Sequence, residues 1–388
     1  MNLKLENCDY DLEHNFDNYI SLECFRTLFL KLKKGEEIKI SSKQNFTKSN
    51  LEKFINAAIK TEGTIITNNM IVAKTISNIK NPAKDIKRVL IIDNHNFFHR
   101  LFHAIPKMVN SQETEVSLLK ALANFIKWFH FNSQDFSHII FTSEGKDLYR
   151  KSYTENSENK YKGNRTKIDE SLKEQIILCE KFLEDNGFLI LKKDHYEADD
   201  ILASLTTEFY NLNIPVTAFT SDKDAMQLGI YPTFEIMDPK SKERIFAKDK
   251  VISKYGIEPS QFPDYQGIVG DTADNVPGIK GFGHETAVTL LKTYGTIENM
   301  LNNIEKIGLE DFSENDKIPK AKLNSAKKKQ EKILSSKIDL LNSRDLCKLR
   351  DYLFQDSDKN SILSKSEKPS DLEIEVLKLS LSKFEVTF

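Results

Sequence analysis

Apolar residues recur along this chain in two rhythms. Short unbroken runs, from Val89 to Ile92, His138 to Phe141 and Val216 to Phe219, have the length and composition of buried parallel strands. Between them, apolar residues fall every three or four positions from Leu118 to Phe131, Lys173 to Asn186 and Ala198 to Asn211, which predicts helices. Strands alternating with helices predict an α/β fold on a parallel sheet. Each apolar run ends in polar residues: Asp93, then Thr142-Ser143-Glu144, then Thr220-Ser221-Asp222. Ligands of such sheets bind beyond the carboxyl ends of the strands, so separate elements are expected to meet at one crevice.

The flanks differ from this core. Residues 1–85 read as a small α/β module. Phe16, Tyr19, Ile20, Phe25, Leu28, Phe29 and Leu32 have helical spacing, with Gly35 as a stop. Ile38 and Ile40 fit a short strand, and a second helix runs from Thr47 to Lys60. No chemistry is visible there, and Asn81 to Asp85 reads as a linker. The core is assigned to residues 86–250, with a polar insertion at 146–167, and residues 251–388 to a helical region with glycine-rich turns. Residues 355–370, rich in Ser, Lys and Asp, are expected to form a flexible loop, and the apolar residues from Leu372 to Phe388 a tail that docks back.

Composition narrows the classes without choosing among them. A chain of 388 residues has room for two or three domains. Lys+Arg (56) nearly balances Asp+Glu (58), so net charge says nothing about a polyanionic partner; only the distribution of charge can. The abundance of Lys, Asn and Ile fits an AT-rich genome, which weakens Lys richness as a sign of DNA binding. Cys8, Cys24, Cys179 and Cys347 are far apart, which argues against disulfides and a thiolate zinc site. The start of the chain lacks a signal-peptide pattern, and no apolar run approaches ~18 residues. The expectation is a cytoplasmic protein with no membrane partner.

Chemistry concentrates in acidic clusters. Glu197-Ala198-Asp199-Asp200 places three carboxylates in four residues at a helix start. Two like charges ~4 Å apart repel by about 1 kcal/mol in water and about 4 kcal/mol at a protein-like dielectric, so a cation is expected there. Asp222-Lys223-Asp224 follows the third strand, where an ordinary helix cap is the competing explanation. Asp271 and Asp274 precede Gly278-Ile279-Lys280-Gly281-Phe282-Gly283, a tight turn whose backbone N–H groups suit a phosphate. Between Lys146 and Lys167, Arg150, Lys160, Lys162 and Arg165 are interleaved with Tyr149, Tyr153 and Tyr161, a pattern that suits phosphates and unpaired bases as well as a solvated loop. His95, His99 and His103 share one helix face, but their apolar neighbours favour partly buried, hydrogen-bonded histidines over zinc.

Taken in order, Leu90-Ile91-Ile92-Asp93, Tyr161-Lys162-Gly163-Asn164-Arg165, Glu197-Ala198-Asp199-Asp200, Thr220-Ser221-Asp222-Lys223-Asp224 and the segment from Gly270 to Gly283 resemble the 5′-nuclease family. That family includes the 5′→3′ exonuclease domain of bacterial DNA polymerase I, phage 5′-exonucleases and flap endonucleases. The resemblance spans about residues 88–354. It implies a three-layer, PIN-like α/β nuclease core with a helical arch at 146–167 and a helix–three-turn–helix DNA-binding element. It implies a first metal site of Asp93, Glu197, Asp199 and Asp200, and a second of Asp222, Asp224, Asp271 and Asp274, with Asp200 near both. Lys162, Arg165 and Arg100 would serve catalysis. Tyr161, Lys146, Arg150, Gly278, Lys280, Gly281 and Gly283 would contact nucleic acid. Two Mg²⁺ or Mn²⁺ ions would act, with K⁺ at the glycine turn.

One departure stands out. The family places a metal-binding Asp seven residues before an aromatic-Arg pair, and counting back from Tyr149-Arg150 reaches Ser143, with Glu144 beside it. Either Glu144 supplies the carboxylate or the first metal is held weakly. The expected activity is metal-dependent hydrolysis of DNA 5′ ends or flaps on nicked or gapped duplex, with RNA primers as further substrates and a replication partner docking through residues 1–80. With no polymerase region in view, the chain would act alone or through partners. The alternative is a structure-specific DNA-binding protein with little cleavage; a PIN-type RNase is the third reading.

Overall fold

The computed structural model describes residues 86–387 except Lys167, Glu314, Asn315 and Gln355, together with Asn2–Lys4, Glu37–Ile40, Phe54 and Thr64–Thr67. In the N-terminal portion, β1 (Asn2–Lys4), β2 (Glu37–Ile40) and β3 (Thr64–Thr67) pair in parallel in the order β1-β3-β2. The strand expected at Ile38 and Ile40 is therefore present. The helix from Phe16 to Leu32, nearly all of the one from Thr47 to Lys60, Cys8 and Cys24 lie outside the described residues.

The core sheet has six strands: β4 (Val89–Asp93), β5 (His138–Glu144), β6 (Ile190–Lys193), β7 (Val216–Phe219), β8 (Glu235–Met237) and β9 (Arg244–Phe246). Their order is β6-β5-β4-β7-β8-β9, all parallel but for the β8–β9 hairpin. Every residue of β4 is buried, as expected of a strand covered on both faces. Val89 and Ile91 pack into one core with Ile201, Leu202 and Leu205 of helix α5 (Ala198–Asn211). Leu90 and Ile92 pack into the other with Phe98 of α1 (Asn94–Ala104), Leu118 and Leu122 of α2 (Ser117–Asn132) and Leu183 of α4 (Glu170–Asp185). The strand order reverses beside β4, so the crevice expected at such a switch point opens at the ends of β4, β5 and β7.

The insertion at 146–167 holds one short helix, α3 (Tyr149–Tyr153), and then turns among its described residues; the long helix begins at Glu170. Beyond the sheet, α6 (Ala247–Tyr255) leads to α7 (Phe262–Val269), the glycine turn and α8 (His284–Tyr294). Helices α9 (Ile297–Asn302), α10 (Lys320–Ser335) and α11 (Lys337–Cys347) follow. The expectation of a loop across 355–370 is corrected: Asp356–Lys365 is helix α12. The tail does dock. In α13 (Asp371–Ser382), capped by the reciprocal Ser370–Glu373 bonds, Ile374, Leu377 and Leu381 pack on the core that holds Phe182 and Leu183. Among the described residues no helix is long and apolar enough to cross a membrane.

Candidate active site

The ends of β4, β5 and β7 and the start of α5 border one cleft of about 1000 Å³. Asp93, the last residue of β4, caps α1 by accepting from the Asn96 amide at 3.1 Å. Thr220 Oγ1 donates to its other oxygen at 3.3 Å. Asp199 enters from the first turn of α5 and Asp222 from the loop after β7. Burial raises the Asp93 carboxyl to about 6, with Asp222 and Glu144 adding to the rise against the Asn96 amide. Burial also raises Asp199, reinforced by Asp222 and Asp93. Asp222 is raised by burial and by Asp274 and Asp271, and Asp224 by burial, Asp222 and Asp271. Asp224, Asp271 and Asp274 each offer a carboxylate oxygen within 4.8 Å of the others. Carboxylates from four chain segments therefore repel one another here, and their spacing suits a hard cation.

Strand register gives Ser143 and Glu144 opposite faces. Asp93 lies beside Thr142, and side chains alternate faces, so Glu144 shares the face of Asp93 and Ser143 does not. Glu144 lines the cleft. Ser143 is buried on the opposite face, where its hydroxyl donates to Glu180 at 2.5 Å and accepts from Asn94 Nδ2 at 2.9 Å.

Three of the expected ligands and contacts have other partners. Asp200, expected beside both metal sites, is buried, and Arg150 grips it at 2.6 and 2.8 Å. It also accepts from the Arg350 amide at 2.9 Å and caps α5 at the Glu197 amide. Asp222, rather than Asp200, interacts with both carboxylate groups, raising Asp93 and Asp199 on one side and Asp224 on the other. Arg150, expected on the nucleic-acid face, is 5% exposed. Its five N–H donors go to Asp200 twice, to Glu197 at 2.9 Å, and to the Leu346 and Lys348 carbonyls at 2.7 and 2.9 Å. Tyr161, expected to stack on bases, is buried with its hydroxyl 2.9 Å from both Glu197 and Asp274.

Glu197 also pairs with Lys162. Burial pushes the Glu197 carboxyl up, but Lys162 and Arg150 outweigh it and the net shift is downward. Burial lowers the Lys162 ammonium, and Glu197 and Asp274 reverse this to a net rise. Lys162 adopts φ +55° and donates its amide to the Asp274 carbonyl at 2.8 Å, which aims its side chain along the cleft wall. Arg165 bonds Asp274 at 2.5 Å, and Lys223 bonds Asp271 at 2.9 Å. Arg100 also lines the cleft. Lys146 and Lys280 are exposed outside this lining.

The glycine turn is built as its sequence suggests. Asp271 and Val276 exchange two backbone bonds of 2.8 Å, closing a hairpin around Asp274. Gly278 passes so close to Val269 that a Cβ would lie 2.3 Å from its carbonyl carbon, and Gly281 adopts φ +85°. At Gly283, which caps α8, a Cβ would meet nothing within 4 Å. The histidines, expected to be partly buried, are corrected in part: His95, His99 and His103 line the cleft, with successive rings 6.0 and 5.0 Å apart; His95 is half-buried, and His99 and His103 are exposed. Their four-residue spacing places them on one face of α1, and the fold turns that face to the cleft.

Comparison with known proteins places this geometry. Residues 88–256 match the 5′-3′ exonuclease N-terminal resolvase-like domain, and residues 257–368 the 5′-3′ exonuclease C-terminal SAM fold. The 5′-3′ exonuclease of Aquifex aeolicus is 34% identical over 229 residues, which are 58% of this chain and 76% of that protein. The DNA polymerase I of Thermus thermophilus is 29% identical over 228 residues, 58% of this chain but 26% of the polymerase. A zinc-bound structure of the phage T5 5′-exonuclease superposes with a TM-score of 0.51 and 17% identity, covering 76% of this chain and 98% of that one. With both family domains matched in order and the parallel sheet and helical region found where they fall, the chain belongs to the 5′-3′ exonuclease family.

Proposed function

We propose that this chain hydrolyses phosphodiesters at the 5′ ends or flaps of nicked or gapped DNA, in replication or repair, with two divalent cations, Mg²⁺ or Mn²⁺. The carrying observation is the set of carboxylates left without enough positive charge: Asp93, Asp199 and Asp222 shift upward in one cleft, and Asp224, raised in part by Asp222, shifts with them. Oxygen donors without a compact His/Cys set fit hard cations. Asp93, Asp199 and Glu144 would hold one ion and Asp224, Asp271 and Asp274 the other, with Asp222 between them. Such ions supply an attacking hydroxide and neutralise the leaving oxygen of an in-line displacement.

The chain's own groups do the rest. Lys162 places an ammonium beside the carboxylates, where the pentavalent phosphate gathers negative charge. Arg165 and Arg100 offer guanidinium donors on the same wall. Tyr161 and Arg150 hold Glu197 and the start of α5 in place. Gly281 and Gly283, exposed at the turn, would face the duplex backbone, and K⁺ held there would supply positive charge toward its phosphates. Glu144 facing the cleft supports catalysis over a binding-only role. RNA primers, a cytoplasmic location and a replication partner docking on residues 1–80 belong to the same reading, as does the division at 85/86 and 250/251.

The test is cleavage of a 5′-labelled flap by the full chain with Mg²⁺, beside Asp222→Asn and Lys162→Ala. Each substitution is expected to lose at least ~100-fold in rate, the scale of removing an electrostatic stabiliser. Equal cleavage by all three proteins would refute the assignment.

A further inference from the structure

Helix α10 (Lys320–Ser335) is the most basic element of the described chain and has no role in the cleft. It carries six lysines and one glutamate, a net +5 in a protein whose overall charge is −2. Its buried or half-buried seam is Leu323, Ala326, Gln330 and Ile333, spaced as one helical face, with Lys329 half-buried at its edge. At 3.6 residues per turn, Lys322, Lys329 and Lys332 lie along one flank of that seam, and Lys320 and Lys327 along the other. Elsewhere lysines meet carboxylates: Lys107 with Glu115, Lys192 with Glu180, Lys223 with Asp271. Among the described residues, none of the six on α10 forms an ion pair.

One contact sets the direction of the first flank. The Lys332 ammonium lies 3.2 Å from where a Cβ on Gly281 would stand. It therefore sits against the glycine turn, beside the exposed Lys280 and the start of α8. A helix of sixteen residues is about 24 Å long, enough to follow one strand over roughly seven base-pair steps. Six ammonium groups that form no ion pair, of which Lys329 lies within electrostatic reach of Glu310, on a surface continuous with a phosphate-sized turn are complementary to a regular polyanion.

We propose that the Lys322–Lys329–Lys332 flank of α10 is a duplex-binding rail, extending the contact of the glycine turn along the phosphates of double-stranded DNA. This rests on the reading of the cleft as acting on DNA, and adds which part of that substrate is held and by what. The flank carries no base-reading groups, so its contribution is sequence-independent and salt-sensitive.

The experiment is equilibrium binding of the full chain, in EDTA so that nothing is cleaved, to a fluorescein-labelled nicked duplex and to the same strand unpaired. It is run across salt concentrations for the wild type, Lys329→Ala/Lys332→Ala and Lys320→Ala/Lys327→Ala. The first pair is expected to lower the slope of log affinity against log salt by about 2 on the duplex, near 1 per phosphate contact, and to leave the unpaired strand unchanged. The second pair should move the duplex slope by much less. Unchanged slopes, or equal losses from both pairs, would overturn the rail. A wild type that binds no duplex would overturn the reading of the cleft as well. Lys320, Lys327 and Lys332 are exposed and Lys329 is half-buried, so thermal unfolding, run on both pairs, should separate the variants by little.

Discussion

The four residues Glu197-Ala198-Asp199-Asp200 divide into two fates. Glu197 and Asp200 are neutralised by the protein itself, through Arg150, Lys162 and Tyr161. Asp199, between them in sequence, faces the cleft with Asp93 and Asp222 and is raised well above an ordinary aspartate. The same charge, one or two residues apart, is paired inside the protein at Glu197 and Asp200 and left facing the cleft at Asp199. Carboxylate density in a sequence marks a site; the position of the protein's own cations decides which members remain for a ligand.

That division makes opposite demands on mutants. Arg150→Met should cost the most, about 3–5 kcal/mol in urea unfolding, because it strips buried Asp200 of its cation and leaves Glu197 to Lys162 and Tyr161 alone. Asp222→Asn should do the reverse, abolishing cleavage while raising the melting temperature of the metal-free protein, since it relieves repulsion. Loss of stability in both variants would erase the contrast.

Acidity separates the two halves next. Asp93 at about 6 and the upward shifts of Asp199, Asp222 and Asp224 mean that the folded protein binds more protons than the unfolded chain above the ordinary carboxylate range. Their contribution to stability is therefore present at low pH and lost as pH rises, for Asp93 through about 4 to 6 and for the other three in the same direction. Thermal melts in EDTA should show a higher midpoint at pH 5.5 than at 7.5, and millimolar Mg²⁺ should remove the difference. A midpoint that climbs with pH in EDTA would contradict the assignment.

Glu144→Gln sharpens the border of the uncompensated group. Metal titration of cleavage should show an affinity about 10–100-fold weaker, the scale of altering a metal's immediate surroundings. An unchanged titration would place Glu144 outside the site. The smallest effect should come from the glycine turn: Gly281→Ala should cost roughly 1–2 kcal/mol for its positive φ. Gly283→Ala, with open space at Cβ, should leave the unfolding midpoint unmoved.

Much of this arrangement was legible in the chain because it depends on local patterns. Apolar runs ending in Asp93 and Asp222 placed both residues at strand ends, and the tight turn announced itself in Gly278 and Gly281. The fate of Asp200 was not legible. Its partner Arg150 is fifty residues away, and that guanidinium is fixed by carbonyls at Leu346 and Lys348, near the far end of the chain. The choice between Ser143 and Glu144 required the register of β4 on β5, which places Thr142 beside Asp93. Helix α12 was hidden because its polar composition gives no periodic apolar signal. The lysines of α10 were plain to see, but only the fold shows Lys332 against Gly281.

The central claim is that carboxylates from four chain segments meet because divalent ions complete them. Equilibrium Mn²⁺ binding to the full chain at pH 7.5 tests it most directly: the account predicts two bound ions, with at least one lost in Asp222→Asn. No bound ion in the wild type, or equal binding by both proteins, would contradict it.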